Sequence, residues 1–120
     1  MKKAVLVVTI SLLIGFSAAS AQSLTGPQQN AVRSAHSYIS VMGFSRSGLI
    51  DQLSFEGYAR HDAAVAVDSM SVDWNEQAVK SANNYLSVMG FSCRGLIDQL
   101  AFDGYTRSQA EHGAHKTGAC

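Results

Sequence analysis

The chain has 120 residues, with nine basic, nine acidic and four histidine side chains and a formal net charge of zero. That length holds one small domain, or two units that share a core, and leaves no room for an enzyme with separate cofactor and substrate domains. The charge balance lacks the basic excess that a phosphate backbone demands, so nucleic acid is excluded as a partner.

In chain order, Met1-Lys2-Lys3 precedes an apolar run from Ala4 to Phe16 and the small-residue stretch Ser17-Ala18-Ala19-Ser20-Ala21. A basic start, a short apolar stretch and an Ala-x-Ala site are the marks of a secretory signal peptide, here residues 1–21. The run is shorter than the ~20 apolar residues that a membrane span needs, so no stable membrane anchor is expected after cleavage. No cysteine lies near the cleavage site to serve as a lipobox thiol. The expected location is outside the cytoplasm: secreted, periplasmic or at the cell surface. Loss of Lys2 and Lys3 leaves seven basic against nine acidic residues.

After a short linker, residues 22–26, the chain repeats itself. The stretch from Ala35 to Ala63 recurs 47 positions later from Ala82 to Ala110, with 19 of 29 paired positions identical. A period of this length means one supersecondary unit copied in tandem. In the first copy, Thr25, Pro27 and Gln28 read as a helix start with a capping box. Ala31, Ala35, Tyr38, Ile39 and Met42 then fall on one face of a 3.6-residue period. Gly43 is placed for a left-handed C-cap, Phe44 for a wedge between helices, and Ser45 for the next N-cap. Leu49, Ile50 and Leu53 face inward on a second helix, which Gly57 stops. A third helix carries Ala63, Ala64, Ala66, Val67 and Met70.

The second copy starts at Asp73, Trp74 and Glu76 and repeats the stripe at Ala78, Ala82, Tyr85, Leu86 and Met89. The turn returns as Gly90, Phe91 and Ser92, the second helix as Leu96, Ile97 and Leu100 ending at Gly104, and a last helix starts at the Thr106–Gln109 capping box. Six helices without strand signals give an all-α fold, a tandem pair of three-helix helix-turn-helix repeats over 27–70 and 73–114. The Ala63 to Met70 helix and Trp74 are expected to be buried between the repeats, and the tail, 115–120, to fray after Gly113.

Cys93 stands where the first copy has Arg46, and Cys120 has no counterpart. In an oxidising compartment the two can pair within the chain or between chains; both arrangements stay open from sequence.

The strings Tyr38-Ile39 and Met42 to Leu53, Glu56-Gly57-Tyr58, Ala66-Val67-Asp68 and Asp73-Trp74-Asn75 resemble the Ltp-like helix-turn-helix repeat of host cell surface-exposed lipoproteins, over nearly all of residues 27–114. The resemblance implies phage biology: superinfection-exclusion proteins that let phage adsorb and block DNA injection by binding the phage tape measure protein. A bacterial envelope or secreted protein with a structural or adhesive role is the competing expectation.

Against this background the sharper chemical readings are weak. His112, His115 and Cys120 fall short of the four ligands of a structural zinc site, so no metal and no cofactor are assigned. Ser45 and Ser92 lack the adjacent base that a nucleophile needs, and Asp51 with Glu56, or Asp98 with Asp103, read as solvated carboxylates, so no catalytic residue and no enzyme activity are expected. The polar residues recurring in both copies, Asp51, Gln52 and Arg60 with Asp98, Gln99 and Arg107, joined by Arg46 and Arg94, form the candidate protein-binding surface.

Overall fold

A computed structural model describes residues 23–120; the signal peptide expected over 1–21 lies outside them. Six helices follow in order: α1 Gly26–Val41, α2 Arg46–Phe55, α3 Arg60–Asp68, α4 Trp74–Leu86, α5 Cys93–Phe102 and α6 Arg107–His115. Local chemistry sets their ends. Thr25 and Gln28 exchange hydrogen bonds of 3.3 and 3.0 Å in a capping box, as Thr106 and Gln109 do at 3.1 and 2.9 Å. The Ser45 and Ser92 hydroxyls each accept from the amide three residues on, at 2.9 Å, and the Asp73 carboxylate accepts from Asn75 and Glu76. Each cap satisfies amides that have no partner inside the helix. Gly57 and Gly104, at φ of 110° and 107°, turn the chain out of α2 and α5 through the left-handed region that favours glycine.

Within each repeat the first helix packs along the third, and the second helix closes over both. Two separate cores result. One gathers Ala31, Ala35, Leu49, Ile50, Leu53, Ala63, Ala66 and Val67; the other gathers Ala78, Ala82, Leu96, Ile97, Leu100, Tyr105, Ala110 and Ala114. The abundance of alanine draws the helices close, and Gly113 carries this furthest, because a Cβ there would lie 2.7 Å from the backbone of Ala78. Gly113 is therefore a packing residue inside α6 and not its end. Beyond His115 the chain does not fray: Thr117 bonds back to the Ala114 carbonyl, and Cys120 closes a disulfide with Cys93 over a separation of 27 residues.

The joint between the repeats differs from the expected burial of the third helix. Trp74 does pack against the first core, but α3 belongs to that core, and the union is made by the α1–α2 turn seated on α4. Gly43 lies so near α4 that a Cβ would be 2.5 Å from the Ser81 hydroxyl and 2.6 Å from the Gln77 carbonyl. Its φ is not left-handed, so glycine is required by close approach and not by a C-cap. Met42, an extended residue, takes the C-cap position instead. The joint is then hydrogen-bonded: Phe44 N donates to Gln77 Oε1 at 3.0 Å, Ser45 Oγ to the Asp103 carbonyl at 2.7 Å, and Lys80 Nζ to the Ile39 carbonyl at 2.5 Å.

Two variants probe this arrangement. Gly43→Ala drives a methyl group into the α4 backbone and is expected to lower stability by about 1–3 kcal/mol, read from urea unfolding. Ser54 Oγ is buried with no partner among the described residues, and the second repeat has Ala101 at the matching position. Ser54→Ala removes an unsatisfied hydroxyl and is expected to stabilise by about 1 kcal/mol, seen as a higher midpoint in the same titration.

Candidate protein-binding surface

The seating of one repeat on the other leaves a cleft of about 450 Å³ beside the joint, within the size range of small-ligand or peptide-side-chain pockets. Met42, Gly43 and Phe44 form the wall from the first repeat; Ser81, Tyr85, Val88 and Tyr105 form the opposite wall. Met42 and Val88, which the 3.6-residue pattern takes for core or leaves unassigned, are 48% and 80% exposed. Phe55 and Phe102, at matching ends of α2 and α5, are 87% and 85% exposed. An apolar side chain left in water twice, at the same place in each repeat, is the kind of feature that marks a contact surface.

A polar network underpins the cleft. Tyr85 donates to Asp103 Oδ2 at 2.5 Å, and Gln99 Nε2 reaches both Tyr85 Oη, at 3.2 Å, and Asp103 Oδ1, at 3.1 Å. Tyr105 Oη donates to the Gln77 carbonyl at 3.0 Å and meets Ser81 Oγ at 2.6 Å. Burial, followed by the hydrogen bond and charge of Asp103, pushes the Tyr85 phenol up to about 12; burial chiefly raises Tyr105 to about 12 as well. At neutral pH both are hydrogen-bond donors and not nucleophiles. Each phenol is raised in the folded state, so its stabilising contribution is whole below the ordinary value of 10 and is lost as pH rises toward about 12.

The recurring polar residues are tied up within the chain. Arg60 pairs with Asp51 at 2.8 Å and Arg107 with Asp98 at 3.0 Å, each joining a second helix to the start of the third; Arg107 also reaches Glu111 at 3.5 Å. Arg46 grips Asp68 through two bonds of 2.6 and 2.8 Å, and its hydrogen bond holds the Asp68 carboxyl below the usual range. Gln52 donates to Tyr38 Oη at 3.3 Å, as Gln99 does to Tyr85. Arg94 stays exposed. These side chains hold helices together, while remaining mostly solvated. Cys93, His115 and Cys120 bring ligand-type atoms within 4.8 Å of one another, but both sulfurs are spent in the disulfide, and His112 is not part of the group. Met42 and Tyr85 were hidden from sequence reasoning because their periodicity matches a core stripe, and Val88, Phe55 and Phe102 lie off that stripe; the signal that could have singled out the two phenylalanines is that each stands off the apolar face at a helix end.

An ultraviolet titration of the four tyrosines checks the network: two phenols are expected to ionise late, and the late step should halve in Tyr85→Phe and again in Tyr105→Phe, with alkaline unfolding setting in between pH 10 and about 12.

Comparison with known proteins fits this architecture. The model of a family described as host cell surface-exposed lipoprotein matches the chain twice, over residues 27–70 and 73–115. Among solved structures, Ltp, a superinfection exclusion protein from the Streptococcus thermophilus temperate phage TP-J34, superposes with a TM-score of 0.74 at 29% identity, covering 79% of this chain and 99% of that one. No curated protein matches the sequence. Matched in both repeats and over most of its length, the chain belongs to the Ltp family of host cell surface-exposed lipoproteins.

Proposed function

We propose that the chain is a non-enzymatic protein-binding module of superinfection exclusion, acting outside the cytoplasm to block injection of phage DNA. The observation that carries this reading is the match to the phage superinfection exclusion protein, which extends over nearly the whole of that protein's length and includes both repeats. The partner is a segment of a phage protein, the tape measure protein that the family resemblance implies. The cleft supplies the chemistry for it: an apolar groove flanked by exposed Met42 and Val88, with the Tyr85 and Asp103 network at its base. An extended or helical segment that inserts apolar side chains there touches both repeats at once. Arg46, Arg60, Arg94 and Arg107 with Asp51, Asp98, Gln52 and Gln99 provide solvated polar contacts around the repeats.

The test expresses the full chain in a phage-susceptible host and scores adsorption and DNA injection separately. Adsorption is expected to be normal and injection to fall by an order of magnitude or more. Met42→Asp combined with Val88→Asp, which puts charge into the groove at two exposed positions, should restore injection while leaving the helical circular dichroism unchanged. Unaltered infection by every phage tried, with exported and folded protein, would turn the search toward envelope partners.

A further inference from the structure

The joint between the repeats is one-sided: the first repeat gives a turn, and the second gives a face. The 47-residue offset assigns each partner an unused equivalent. The turn Gly43-Phe44-Ser45 corresponds to Gly90-Phe91-Ser92, and the face built on Gln77, Lys80, Ser81, Asp103 and Tyr105 corresponds to Asn30, Arg33, Ser34, Glu56 and Tyr58. Exposure follows engagement. Ser45 is buried and Ser92 exposed; Gln77 is buried and Asn30 exposed; Tyr105 is buried and Tyr58 only half-buried. A Cβ on Gly43 would strike α4, whereas one on Gly90 would meet nothing within 4 Å, so no contact among the described residues calls for glycine at 90.

Both unused surfaces share much of the engaged shape. Phe91 rests edge-on against Tyr85 at 5.5 Å and 69°, as Phe44 does against Tyr38 at 5.6 Å and 68°. Ser34 and Tyr58 are hydrogen-bonded at 2.9 Å, as Ser81 and Tyr105 are at 2.6 Å. Gly57 and Gly104 turn the corner with nearly the same φ. The shared shape lowers the cost of docking, and the one exchange it calls for is at Asn30, whose Oδ1 accepts from Arg33 Nη1 at 2.7 Å and must turn to the incoming amide as Gln77 Oε1 does to Phe44. Charge also fits. Arg94 occupies the place of Ser47, whose hydroxyl donates to the Gly104 carbonyl, so in the copied joint Arg94 faces the Gly57 carbonyl beside the Glu56 carboxylate.

We infer that the Gly90-Phe91-Ser92 turn of one molecule seats on the Asn30, Ser34 and Tyr58 face of a second copy, head to tail, by the same geometry that joins the repeats. The contact is heterologous, so it adds copies head to tail until its rotation closes a ring, or without limit where the rotation does not close. It is weaker than the internal joint. Asn30 is one methylene shorter than Gln77, Pro27 stands where Trp74 anchors the second repeat, and the linker's effective concentration, of millimolar order, is lost. This inference is independent of the phage role.

Sedimentation velocity of the chain, purified after expression from its full sequence, tests it. The sedimentation coefficient is expected to climb with concentration toward about 1 mM. Gly90→Ala should weaken association about tenfold or more with unchanged unfolding. Arg94→Glu and Glu56→Arg should each weaken it about two- to fivefold, and an equimolar mixture of the two should recover it. A coefficient that stays monomeric over the whole range, or association indifferent to Gly90→Ala, as contact through Phe55 and Phe102 would be, overturns the proposal.

Discussion

The architecture depends on a backbone-to-backbone approach that only a residue without a side chain permits. Gly43 lies within a Cβ's reach of the α4 backbone, and from there the neighbouring amide and hydroxyl meet Gln77 and Asp103. Because this union consists chiefly of hydrogen bonds and a glycine contact, with Trp74 as an apolar anchor on the first core, the two apolar cores do not merge. Had the repeats met through apolar faces, Met42 and Val88 would have been absorbed into a common core. They line an open cleft instead, so the feature best suited to partner recognition is a by-product of how the repeats are joined.

The copies share the ion pair that ties the second helix to the start of the third and differ in a second tie between the same helices. In the first repeat Arg46 grips Asp68. The matching positions in the second are Cys93 and His115, and there Cys120 returns to bond Cys93. A solvated ion pair contributes about 0–1 kcal/mol, whereas closing a loop of 27 residues stabilises by about 3–4 kcal/mol on the chain-entropy model. The disulfide thus secures α6, which bears a glycine, Gly113, in its interior.

What the sequence revealed was local. Thr25, Ser45, Asp73, Ser92 and Thr106 announce helix starts because their side chains bond amides two or three residues away, and the 47-residue period fixes which helices must share a core. Gly57 and Gly104 were legible for the same reason, since a left-handed residue ends a helix wherever it stands. Gly43 has the same local context, yet its reason is a residue on α4 more than 30 positions away, and Gly113 answers to Ala78 in the same manner. The pairing of Cys93 with Cys120 is likewise a matter of distance in space. The cleft needed both kinds of information: Tyr85 and Met42 are visible as a stripe, but only the joint shows that one stripe ends in solvent.

A cleft that straddles the joint would couple any binding there to repeat geometry. Whatever fills the groove touches Phe44 and Met42 on one side and Tyr85 and Val88 on the other, and therefore binds only when the repeats are seated. By linkage, occupancy strengthens the joint by as much as seating favours occupancy. The hydrogen bonds of Ser45 and Lys80 hold that arrangement before any partner arrives, which removes the ordering cost from the binding step. Tyr85 and Gln99 serve the same end from beneath: by fixing Asp103, whose carbonyl receives Ser45, they connect the floor of the groove to the joint that creates it.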